Sequence, residues 1–110
     1  MHEKDIQWCG SSYKDLLSFP DESRREAGYQ LGFLQLGLEP SDWKPMSSIG
    51  QGVQEIRIHI KGEFRVVYVA KYEEAIYVLH AFQKKTQKTP KKAIDIAKTR
   101  FRELERERKT

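Results

Sequence analysis

The chain has 110 residues and a formal net charge of +4, from 20 Lys and Arg against 16 Asp and Glu. That length suits one domain spanning residues 1–110, with a single modest core. A lone cysteine excludes an internal disulfide, three scattered histidines (His2, His59, His80) give no metal-ligand spacing, and no apolar run approaches the roughly 18 residues of a membrane span. No secretory leader is legible, so a cytosolic protein without membrane contact, metal or cofactor is expected.

The first short element is Ile6-Gln-Trp-Cys9, read as a strand in which Cys9 is a small buried hydrophobe. Ser11 to Leu17 reads as a short helix with Tyr13, Leu16 and Leu17 on its apolar side. Pro20-Asp-Glu-Ser opens a longer helix, since proline suits the first turn and Asp21 and Glu22 favour the positive end of the dipole. Ala27, Leu31, Leu34 and Leu38 recur at helical spacing and predict its buried stripe; Glu39-Pro40 should end it. Residues 39–53 read as a long polar loop. Its Trp43, beside Lys44, either anchors the loop to the body or stacks on a base.

Three strands follow, at Val53–Ile60, Phe64–Lys71 and Ala75–Gln83. In the first, Ile56, Ile58 and Ile60 alternate with Glu55, Arg57 and His59. A three-residue connection Lys61-Gly62-Glu63 would pair Ile60 with Phe64 and Ile58 with Val66, keeping apolar residues on one face. The next connection would pair Tyr68 with Leu79, Val67 with His80 and Arg65 with Phe82. Arg57, His59, Arg65 and His80 then share one face of the sheet. A last helix runs from Thr89 or Pro90 to about Arg106, its apolar stripe made of Ala93, Ile94, Ala97, Phe101 and Leu104. Only the final few residues are expected to be disordered.

Charge is distributed unevenly, at −4 over residues 1–55 and +8 over residues 56–110. The densest stretch is Phe82 to Lys92, with five lysines (Lys84, Lys85, Lys88, Lys91, Lys92) and no acidic residue. Cations held between a strand end and a helix start make a site for a polyanion, and phosphodiester backbone is the commonest one in a cell. RNA brings its own nucleophile, the 2′-hydroxyl. A protein that cuts it needs a base for that hydroxyl, a cation for the crowded phosphate and an acid for the leaving oxygen. Arginine, histidine and lysine on one face supply those types. The plainer reading of the same residues is a solvated, electropositive binding face without chemistry.

The runs Gly52-Val-Gln-Glu-Ile-Arg-Ile, Phe64-Arg-Val-Val-Tyr and Val78-Leu-His-Ala-Phe-Gln-Lys-Lys-Thr-Gln-Lys-Thr-Pro resemble the RelE/ParE toxin superfamily, within it the HigB-like, phage-related branch. The resemblance implies an α+β fold: a short N-terminal strand, two helices, a three-stranded antiparallel sheet and a C-terminal helix. It implies a type II toxin that cuts mRNA in the ribosome and is held by a helix-turn-helix, HigA-like antitoxin. Arg65 matches the central-strand arginine that grips the scissile phosphate. Arg57 matches a cation on the preceding strand, Lys84 the basic residue after the last strand, and His80 a histidine common in this branch. His59, Lys85, Lys88, Lys91 and Lys92 become RNA-binding candidates. The catalytic tyrosine near the C-terminus of RelE proteins has no counterpart here, since no tyrosine follows Tyr77. A ParE-like gyrase inhibitor and a non-catalytic nucleic-acid-binding module are the alternatives.

Overall fold

The computed structural model describes residues 3–109; His2 lies outside them. Eight elements follow in chain order: β1 (Asp5–Trp8), α1 (Ser12–Leu17), α2 (Asp21–Gln35), β2 (Trp43–Pro45), β3 (Val53–Ile58), β4 (Phe64–Val69), β5 (Ala75–Gln83) and α3 (Lys91–Arg108). The class is α+β, as expected, but the sheet has five strands in the order β1-β5-β4-β3-β2. β1 joins it parallel to β5, and the other pairings are antiparallel.

Strand alternation decides what each face buries. Ile56, Ile58, Phe64, Val66, Tyr68, Ile76, Val78 and Ala81 pack against Leu16, Phe19, Ala27, Leu31 and Leu34 of the α1–α2 side. The opposite face sends Val53, Val67, Val69 and Leu79 under Ala97, Phe101 and Leu104 of α3. Each fully buried aliphatic side chain contributes about 1.5–3 kcal/mol by leaving water, before entropy is charged against it. α3 sits so close that a Cβ on Gly50 would lie 2.2 Å from the Phe101 ring. Glycine is therefore required there to let the helix seat.

The polar loop expected over 39–53 holds a short edge strand, because Trp43 pairs with Ile56 and Pro45 with Gln54. Proline tolerates that place only because it is an edge. The β3–β4 connection has five residues, 59–63, rather than three, and Ile58 pairs with Phe64. Ile60 leaves the strand because its carbonyl accepts a hydrogen bond from Ser23 Oγ on α2. Lys61 and Gly62 turn the chain at φ 60° and 131°. The register moves by two residues, so every side chain keeps its expected face while its partner changes. Arg57 lies opposite Arg65, not Val67.

The β4–β5 register holds as expected from Arg65–Phe82 to Val67–His80. It then slips at a bulge, so that Tyr68 pairs with Val78 and Leu79 is the extra residue. α2 ends at Gln35, short of Glu39-Pro40, where Gly37 takes φ 80°. Leu38, expected in the buried stripe, consequently lies outside the helix and is 55% exposed. On α1 Ser12 and Leu16 are buried, while Tyr13 and Leu17 face solvent. Cys9 is half-buried against the α3-side cluster. α3 begins after Pro90 with no side-chain cap from Thr89, and continues to Arg108 rather than fraying near Arg106.

Candidate nucleic-acid interface

On the α3 face of the sheet, Arg57, Arg65 and Phe82 form one cross-strand row, and Glu55, Val67 and His80 the next. The Glu55 carboxylate is buried and lies 3.8 Å from both Arg57 Nε and Arg65 Nε. Arg65 is 3% exposed; its Nη1 donates to the Phe64 carbonyl (2.9 Å) and its Nη2 to Glu63 Oε1 (3.2 Å). Glu63 in turn meets His59 Nδ1 at 2.8 Å, and His59 Nε2 meets Asp42 Oδ2 at 2.6 Å. Donating to Asp42 and then to Glu63 pushes the His59 imidazole above its ordinary range, and accepting from His59 holds the Glu63 carboxyl low. Asp42, His59, Glu63, Arg65, Glu55 and Arg57 thus form a chain of alternating charge that sums to zero when His59 is protonated. Of the two arginines, Arg57, a third exposed, is the one open to a ligand.

The lysines behave differently. Lys85, Lys88, Lys91 and Lys92 are exposed and Lys84 half-buried, and no carboxylate among the described residues pairs with any of the five. The loop is tied in place by its backbone: Lys84 N–H donates to the Glu63 carbonyl (2.7 Å), and Thr86 Oγ1 to the Lys88 carbonyl (2.6 Å). Fixed backbone with free side-chain charge is what a polyanion site requires.

Between α1, β5 and the first half of α3 lies an open cleft of about 370 Å³, lined by Ser11, Asp15, His80, Phe82, Pro90, Lys92, Ile96 and Arg100 among others. It exists because β1 stops at Trp8, opposite Val78, and leaves the rest of β5 without a strand neighbour on that side. Beyond that point Arg100 Nη1 donates to Leu79 O (2.8 Å), while Val78 O accepts from Cys9 N–H (2.9 Å) and also from Ser12 Oγ (3.0 Å). Gly10, at φ 56°, admits Arg100; a Cβ there would lie 2.5 Å from Arg100 Nε. Arg100 Nη2 donates to Ser11 Oγ, which donates to Asp15 Oδ2, each at 2.9 Å.

His80 forms the cleft floor. Its side chain is 10% exposed, stacks on Phe82 (5.2 Å, 23°) and turns Nδ1 toward Asp15 Oδ2 at 3.6 Å, too far for a good hydrogen bond. Burial, with Arg100 nearby, pulls its pKa below the ordinary value against the opposing pull of Asp15, so the ring is neutral near pH 7.

Of the residues expected at the site, Arg57, Arg65, His80 and Lys84 lie on one face around Phe82. His59 does not join His80: four residues along the strands and two strands across separate them by roughly 15 Å. Lys88, Lys91 and Lys92 extend from the loop to the start of α3. The sequence reading missed Glu55, Glu63 and Asp42, which neutralise the arginines, and Asp15 and Arg100, which build the cleft. Glu55 was legible, since it sits two residues before Arg57 on an alternating strand. Asp15 left no signal, being distant in sequence from everything it meets.

Fold and face together define a small α+β protein whose central sheet carries helices on both sides and free cations at one end of β5. The chain belongs to the Phage derived protein Gp49-like family, whose model matches residues 14–102. That family is RelE/toxin-like, and membership is compatible with the toxin of a toxin–antitoxin pair. The matched span runs from α1 into α3 and takes in every candidate residue named above. No curated protein matches the chain. No helix among the described residues is long and apolar enough to cross a membrane.

Proposed function

We propose that this protein is the toxin of a type II toxin–antitoxin pair, of the HigB-like branch, and that it cuts mRNA on the ribosome in a bacterial cytoplasm. A helix-turn-helix, HigA-like antitoxin is its partner. The observation that carries the reading is the line His80–Phe82–Lys84 on β5 and its end. A neutral imidazole and a free ammonium flank one position from opposite sides, each about 7 Å along the strand from Phe82. An in-line displacement at phosphorus needs that arrangement.

In this mechanism a phosphodiester lies over Phe82. His80 Nε2 takes the proton from the 2′-hydroxyl, and the 2′-oxygen attacks phosphorus. The P–O5′ bond breaks, Lys84 gives the leaving oxygen its proton, and a 2′,3′-cyclic phosphate remains. Arg57 stabilises the added charge on the phosphoryl oxygens. Arg65, buried beneath, holds Glu55 and through it the Arg57 side chain; the expected direct grip on phosphate passes to Arg57. Lys85, Lys88 and Lys91 meet ribosomal RNA, helped by the N-terminal end of α3, while Lys92 faces the cleft beside Phe82. His59, its ring held between Glu63 and Asp42 at the hairpin tip, lies at the margin of the docking surface. The chemistry asks no metal or cofactor of the protein, because RNA supplies the nucleophile.

The test is induced expression in bacteria with mapping of mRNA 5′ ends, wild type against His80→Gln. New in-frame cuts with wild type alone support the reading. Growth arrest without new cuts moves the target to gyrase. A second reading, a nucleic-acid-binding module without chemistry, is favoured by the burial of Arg65 on carboxylates; it predicts RNA binding that His80→Gln leaves unchanged and no cuts from either protein.

A further inference from the structure

The cleft beside His80 is polar at both ends and apolar between them. At one end stand Lys92 and Pro90, at the start of α3; at the other, Asp15, Ser11 and Arg100. Lys92 and Arg100 are eight residues apart on one helix, about 12 Å. Ala93 and Ile96 of α3 and the rings of His80 and Phe82 line the middle. A phosphate-to-base-edge span has that length and that order of chemistry. His80 is nine-tenths buried and lines the cleft, and its Nδ1, 3.6 Å from Asp15 Oδ2, lacks a hydrogen-bond partner. The Asp15 carboxylate is fixed by Ser11 from one side and carries Arg100 Nη1 at 3.9 Å. It retains acceptor capacity toward the cleft, and an ionised carboxylate only accepts.

We propose that this cleft holds the nucleotide on the 5′ side of the cut, with its 3′-phosphate over Phe82 toward Lys92, its base against Ile96 and its base edge on Asp15. The inference rests on the RNA-cutting reading and gives that site a specificity element. Guanine is the preferred base, because its N1–H and N2–H₂ offer a carboxylate two parallel donors. Adenine, cytosine and uracil each offer fewer in that direction.

The probes are the four nucleoside 3′-monophosphates and inorganic phosphate, titrated into the full chain and followed by backbone and imidazole NMR shifts. The guanosine compound should bind tightest, by about tenfold, the discrimination that one good two-donor contact gives. Its shifts should fall on His80, Ile96 and Arg100. Ile96→Trp should fill the cleft and abolish them, and Asp15→Asn should level the four bases while a folded spectrum is kept. Equal binding of all four nucleotides and of inorganic phosphate, with shifts confined to residues 84–88, overturns the proposal. So does a base preference that survives both variants. Failure here leaves the cutting reading intact if mRNA 5′ ends still appear in cells, so the two are judged separately.

Discussion

Two cationic regions share one face of this sheet, and they use their charge in opposite ways. The arginine row spends its charge inside the protein. Arg65 is held by Glu55, Glu63 and a backbone carbonyl, and the chain of contacts runs on through His59 to Asp42. The lysine loop keeps its charge for the outside: its backbone is anchored, and no carboxylate among the described residues meets its side chains. Residue type alone would rank the arginines first as phosphate ligands. Burial reverses the ranking. A guanidinium that must stay paired to be tolerated in a protein interior is structural before it is functional.

The largest effect that sharpens the contrast is on stability. Arg65→Ala leaves the buried Glu55 with only Arg57 beside it and should cost about 3–5 kcal/mol in urea denaturation, the usual penalty for breaking a buried pair. Glu55→Ala should cost less, because Arg65 keeps Glu63 and the Phe64 carbonyl. The second effect is on RNA affinity. The Lys84→Ala, Lys85→Ala pair should leave stability within about 0.5 kcal/mol. It should weaken binding of single-stranded RNA and flatten the slope of log K against log salt by about 1.4, at roughly 0.7 per lost phosphate contact. Arg57 stands between the two regions, so Arg57→Ala should abolish growth arrest while lowering the melting temperature only slightly. A stable, fully toxic Arg57→Ala protein would remove it from the site.

The smallest effects are in pH dependence, and the two histidines should pull against each other. His59 has a raised pKa in the fold, so its contribution is complete below the ordinary value near 6.5 and fades as pH rises through the folded value. His80 has a lowered pKa, so the unfolded chain binds more protons between its two values, and stability falls as pH drops through 6.5. Imidazole titration by NMR should place His59 above 6.5 and His80 below it. Removing His59 should lessen the loss of stability as pH rises above 6.5, and removing His80 should lessen the loss as pH falls below 6.5. Exposure of His59 keeps its part small.

Much of this was legible in the chain. Period-two alternation of Ile56, Ile58, Phe64, Val66 and Tyr68 assigned the faces correctly even though the hairpin register was wrong by two, because a shift of two preserves facing. The five-residue connection could not be seen, since it depends on Ser23 of α2 taking the Ile60 carbonyl. The bulge at Leu79 and the edge strand at Trp43 are likewise settled by distant partners. At the site, residue types gave the cations but not their occupancy. The lysine run stood out because nothing acidic lies within it, and among the described residues no carboxylate pairs with its side chains. The arginines looked equally available until Glu55 and Glu63 closed on them. The cleft was invisible, since Asp15, His80 and Arg100 come from three elements and meet only where β1 falls short of β5.

The most direct test of this division of labour is one paired measurement on Arg65→Ala and on Lys84→Ala, Lys85→Ala: urea denaturation and RNA affinity of the same preparations. The arginine variant should lose stability and, where still folded, keep most of its affinity, while the lysine variant should keep its stability and lose affinity. An Arg65→Ala protein as stable as wild type that no longer binds RNA would contradict this division, and would return Arg65 to the phosphate.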